Sequence, residues 1–121
     1  MRRIGTIILA VCALLAGAGR APAHAFLDRA DPPVGSTIKE SPAEIRLWFS
    51  GGIVPALCAI RVLALNGTQV DRGDVRPDNA DPAVLQVSVP ALAPGVYKVV
   101  WRAISQDTHI TEGDYTFTVA P

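Results

Sequence analysis

Hydrophobic and polar positions alternate along most of the chain beyond residue 40. In EIRLWF, residues 44–49, Ile45, Leu47 and Phe49 fall on one side and Glu44, Arg46 and Trp48 on the other. In YKVVWRAIS, 97–105, Tyr97, Val99, Trp101 and Ala103 oppose Lys98, Val100 and Arg102. DYTFTV, 114–119, sets Tyr115, Phe117 and Val119 against Thr116 and Thr118. VLQVSV, 84–89, alternates more loosely, and LCAIRVLAL, 57–65, is apolar and β-branched. A side-chain period of two is the signature of half-buried strands.

The breaks between these segments are turn chemistry. Pro32-Pro33, Gly35-Ser36, Ser41-Pro42, Gly51-Gly52, Asn66-Gly67, Pro94-Gly95 and Glu112-Gly113 read as turns. Asn66-Gly67 predicts a tight hairpin turn. DRGDVRPDNADP, 71–82, reads as a polar loop without clear structure. Short strands at this spacing, with no convincing helix, predict an all-β domain, an antiparallel sandwich of about seven strands. Trp48 and Trp101 are then expected to fill the core or shield a site.

The first 23 residues follow a different rule. Arg2 and Arg3 precede an apolar run from Ile4 to about Ala16, and the segment closes on Ala21-Pro22-Ala23. A charged start, a short apolar stretch and an A-x-A end make a secretory signal, cut after Ala23. The run is too short for a membrane anchor, which needs roughly 20 apolar residues. The domain is then residues 24–121, exported to the periplasm. Three of the eleven basic residues leave with the signal, so eight basic face eleven acidic, a net −3 with both histidines neutral. A mildly acidic surface argues against nucleic acid, which needs a basic stripe. Cys12 leaves too, so Cys58 stands alone without a disulfide partner and reads as an inert thiol packed as a small hydrophobe.

Cleavage also changes the chemistry of His24, which becomes the N-terminal residue. A free amine and the imidazole Nδ1 of one residue can clamp a metal from two sides. The amine titrates near pH 7.7–8.0 in model peptides, so a metal displaces its proton near neutral pH. The second histidine lies in SQDTHITEG, where Asp107 and His109 are separated by one residue. In an extended strand they would point to the same side. Alone, an Asp–His pair is more often a hydrogen bond than a metal site. Together, His24, Asp107 and His109 offer three nitrogens and an oxygen. A tetragonal N,O set favours Cu(II), which also tops the divalent affinity order. Ser105, two residues before Asp107, is a candidate donor to orient the carboxylate. Gly113 is expected in a tight turn, and Arg102 as a solvated strand residue.

HAFLDRADPPVGSTI, SPAEIRLWFS and LAPGVYKVVWRAISQDTHITEGDYTFTV together resemble the periplasmic copper-resistance CopC family. The shared pattern is an N-terminal His-Ala or His-Pro, a Pro-x-x-Gly, an L-x-F-S strand, an L-x-x-G-x-Y-x-V-x-W strand and an S-x-D-[TG]-H-x-x-x-G turn. It covers nearly all of residues 24–119. The resemblance implies a Greek-key β-sandwich or barrel, and a Cu(II) site of the histidine-brace type on His24, Asp107 and His109. It also implies a membrane partner, a CopD-like copper transporter. Two departures stand out. Ser50-Gly51-Gly52 occupies the place where some members carry an acidic residue near the copper. The only methionine is Met1, in the signal, so a Met-rich Cu(I) site is not expected.

The expected function is a non-enzymatic, monomeric carrier or buffer holding one Cu(II). Two other readings compete. Histidine braces also serve copper monooxygenases, but those need a broad face of exposed aromatics, and the seven aromatic residues here lie on predicted strands or by the N-terminus. A metal-free structural sandwich would require His24 to lie far from Asp107 and His109.

Overall fold

The computed structural model describes residues 25–121. Residues 1–24, with the expected signal segment, Met1, Cys12 and His24, lie outside the described residues. Eight strands form two four-stranded sheets. One contains β1 (Leu27–Asp31), β3 (Glu44–Phe49), β6 (Val84–Ser88) and β5 (Arg76–Pro77), in the order β1-β3-β6-β5. The other contains β2 (Thr37–Ile38), β8 (Ile110–Val119), β7 (Gly95–Ile104) and β4 (Ala59–Ala64), in the order β2-β8-β7-β4. The all-β sandwich is as the alternation predicts. It has one strand more than expected, because β2 and β5 are only two residues long, and the β2–β8 pairing is parallel.

The faces fall where period two puts them. Ile45, Leu47 and Phe49 of β3 meet Tyr97, Val99, Trp101 and Ala103 of β7 and Tyr115, Phe117 and Val119 of β8 in one core. Phe49 and Trp101 touch edge to face across the two sheets, ring centres 5.5 Å apart. Tyr97 stacks on Phe117 at 5.6 Å and donates its hydroxyl to the Ala93 carbonyl at 2.6 Å. Each large side chain buried this way contributes roughly 1.5–3 kcal/mol. Asn66-Gly67 makes the expected turn: Gly67 stands at φ +87°, and Ala64 N–H donates to the Thr68 carbonyl at 2.8 Å.

Four expectations change. Gly113 is not in a turn. It lies within β8 opposite Trp101, and a Cβ there would stand 2.6 Å from the indole. The ring occupies the space a side chain would take. Trp48 is not in the core; it lies on the outer face with the guanidinium carbons of Arg29 and Arg46 at 4.5 and 5.3 Å from its ring centre. The 71–82 segment is ordered by its own acids. Asp71 accepts from Val62 N–H at 2.8 Å, Asp74 from Ser88 N–H at 2.8 Å, and Asp78 pairs with Arg46 at 2.7 Å. Cys58 is half-buried rather than enclosed. Its Sγ lies 3.3 Å from the Val54 carbonyl and accepts from Ile104 N–H at 3.4 Å, and desolvation pushes the thiol pKa up, as suits an unreactive thiol.

β1 carries a bulge. Leu27 pairs with Phe49 and Arg29 with Trp48, so Asp28 is an extra residue. The bulge exchanges the faces on either side of it. Ala30 faces the core after the bulge, while Leu27 and Ala25 face it before the bulge.

Candidate metal centre

β7 and β8 form a ladder running from Gly95↔Val119 to Ile104↔Ile110. The turn that closes it is residues 105–109. Ser105 N–H donates to the His109 carbonyl at 2.9 Å, and Thr108 N–H to the Ser105 carbonyl at 2.9 Å. Thr108 stands at φ +73°, the left-handed region. Asp107 and His109 are therefore in a turn and not in the extended strand that the spacing suggested. The turn still brings them together, with Asp107 Oδ2 3.1 Å from His109 Nδ1.

Ser105 is 1% exposed at the foot of this turn. Its hydroxyl donates to Asp107 Oδ1 and lies 3.1 Å from the His109 carbonyl. The hydrogen bond from Ser105 is the main cause holding the Asp107 carboxyl below its ordinary pKa, with His109 adding to it. Asp107 is thus an oriented carboxylate with lone pairs to spare, since each carboxylate offers about four acceptor sites. The expected orienting role of Ser105 is what the geometry contains. Arg102 pairs with Glu112 at 3.3 Å, both exposed.

The beginning of the described chain is pinned beside this turn. Thr111 Oγ1 donates to the Ala25 carbonyl at 2.6 Å. Phe26 N–H donates to Ser50 Oγ at 3.0 Å, and Ser50 N–H returns to the Phe26 carbonyl at 2.8 Å. The 50–53 loop closes the third side. Gln106 N–H donates to the Gly52 carbonyl at 3.1 Å, and the Gln106 side chain lies over Gly52, where a Cβ would meet it at 2.7 Å. Ser50, read from sequence as the last residue of the L-x-F-S strand, is an anchor for the chain start. Thr111 was not singled out, although it lies two residues beyond His109 on an alternating strand. Among the described residues no three His, Cys, Asp or Glu side chains cluster as a metal site. Asp107 and His109 supply a pair only.

The fold is a two-sheet β-sandwich with an imidazole–carboxylate pair in the turn of its β7–β8 hairpin. The CopC domain family matches residues 27–120, and the chain belongs to that family. It is similar to CopC from Methylosinus trichosporium OB3b, a crystal structure 39% identical, with a TM-score of 0.76 over 81% of this chain and 95% of that one. PcoC, a methionine-rich copper resistance protein from Escherichia coli, is 32% identical, with a TM-score of 0.72 over 80% of this chain and 99% of that one. Copper resistance protein C of Pseudomonas syringae pv. tomato is 33% identical over 105 residues, 82% of each chain. The chain accordingly belongs to a family whose named relatives are copper resistance proteins.

Proposed function

We propose that this protein holds one Cu(II) in the periplasm, bound by the amine and imidazole of an N-terminal His24, by His109 and by Asp107. Removal of residues 1–23 creates the amine. Asp107 Oδ2 lies 3.1 Å from His109 Nδ1, close enough for the two to offer an oxygen and a nitrogen to one ion. The protein sequesters copper or delivers it, and a CopD-like inner-membrane transporter is the partner that delivery calls for. The protein acts as a monomer.

One observation carries the reading. The carbonyl of Ala25, the residue after His24, is held at 2.6 Å by Thr111, two residues along β8 from His109. The metal-free sandwich requires those groups to be far apart, and this tie weighs against it. Donor chemistry supports the oxidation state. Nitrogen and carboxylate ligands suit Cu(II), and beyond Met1 the chain has no methionine for Cu(I), unlike a methionine-rich relative.

The test is a Cu(II) titration of secreted protein whose N-terminus has been checked by mass spectrometry. The control carries one extra residue ahead of His24. The expected result is one tight equivalent for the native form and much weaker binding for the extended one. Equal affinity in both would rule out the amine as a ligand.

A further inference from the structure

The hydrogen bonds of Thr111 and Ser50 converge on a single peptide group. The carbonyl of Ala25 and the N–H of Phe26 belong to one planar unit. Thr111, on the β8 sheet, donates to the carbonyl at 2.6 Å. Ser50, at the end of β3 on the opposite sheet, accepts from the N–H at 3.0 Å, and its own N–H holds the next carbonyl at 2.8 Å. Each sheet thus grips one end of the same peptide plane. The Ala25 side chain is 0% exposed, which fixes the chain on a third side. Only ψ and φ of residue 25 and ψ of residue 24 lie between that plane and a terminal amine on His24.

We infer that Thr111 and Ser50 are positioning residues, a two-hydroxyl clamp that sets the backbone at the N-terminus before copper arrives. This rests on the brace reading above. A metal that binds through a terminal amine must otherwise order a free chain end. Fixing one residue's backbone is worth about one power of ten in an equilibrium constant. The clamp makes that ordering part of folding, so it does not weaken binding. Ser50 contributes through the backbone of Phe26, with no charge of its own.

The experiment compares Cu(II) affinities of Thr111→Val, Ser50→Ala and the double variant, each with and without one extra residue ahead of His24. Thr111→Val keeps shape and removes the donor; Thr111→Ser keeps the donor. With the native start, each single substitution is expected to weaken copper binding roughly tenfold, and Thr111→Ser to restore it. In the extended series the same substitutions should change little, because the amine no longer binds. Apo melting temperatures report whether each variant folds, and faster exchange of the Phe26 amide in Ser50→Ala reports the released peptide. Equal losses in both series would mean a structural role only and overturn the clamp. So would unchanged affinity in Thr111→Val while the extension itself still weakens binding. An extension without effect on the unsubstituted protein would instead overturn the brace, and the clamp's role with it.

Discussion

Ser105 is a buried hydroxyl whose surroundings leave it little freedom: it bonds the Asp107 carboxylate and lies 3.1 Å from the His109 carbonyl. Replacing it with alanine removes a hydrogen bond to a charged group, worth roughly 1.5–3 kcal/mol. Ser105→Ala should therefore lower stability by about 2 kcal/mol in denaturant unfolding. It should also weaken Cu(II) binding at least tenfold, the usual cost of losing a group that orients a ligand. Gly113 makes a different demand. Its missing Cβ is the space filled by the Trp101 indole, a rigid ring wedged against Phe49. Gly113→Ala should cost about 1–3 kcal/mol by overpacking. Gly52→Ala should cost much less, because its 2.7 Å neighbour is the mobile end of Gln106. Thermal unfolding of the two variants side by side checks the contrast. The pairing of Asp107 with His109 was readable from their spacing. Gly113 was misread because a glycine after an acid looks like a turn, and only the tertiary partner shows otherwise.

At the scale of the element, the β7–β8 turn brings Asp107 and His109 together by bending, with Thr108 as the pivot at φ +73°. A β-branched residue in the left-handed region is strained by about 1–2 kcal/mol, and glycine there is not. Against that gain, glycine has more freedom to lose on folding, roughly 0.5–1 kcal/mol. Thr108→Gly should thus be neutral to about 1 kcal/mol more stable by thermal unfolding, with copper binding kept. Thr108→Pro, locked near φ −65°, cannot make the turn. It should separate Asp107 from His109 and lose the metal in the same titration. Strands β3, β7 and β8 were plain in the sequence because each buries one face over six or more residues. β1 was not, because the Asp28 bulge breaks its alternation: Phe26 is 52% exposed while Ala25 and Leu27 face the core. β5 escaped notice because two residues carry no period.

Across the whole molecule, charge ties the 71–82 segment to one sheet. Residues 71–82 are held to β3 through Arg46–Asp78 at 2.7 Å and Arg76–Glu44 at 3.2 Å, and Arg76 also pairs with Asp74 within the segment at 2.9 Å. These pairs are half-exposed, and pairs of that kind contribute at most about 1 kcal/mol each. Asp74 has more than an ion pair. Its carboxylate accepts the Ser88 N–H at 2.8 Å, and this bond is the first cause of its lowered pKa, ahead of the Arg76 charge. A carboxyl whose folded pKa lies below its unfolded value of about 3.9 stabilises the protein above that pH. The contribution fades as pH falls through the lower, folded value. The melting temperature should therefore hold steady from pH 7 to about 4 as far as Asp74 is concerned, then fall below it. Asp74→Asn should start lower and lose less on acidification, because the amide no longer titrates. Salt separates the causes. If the Ser88 hydrogen bond dominates, raising salt to about 1 M at pH 7 should barely move the difference between the two proteins, since screening acts on separated charges and not on a direct bond. A difference that vanishes in salt would make the Arg76 pair the main support and the Ser88 bond secondary.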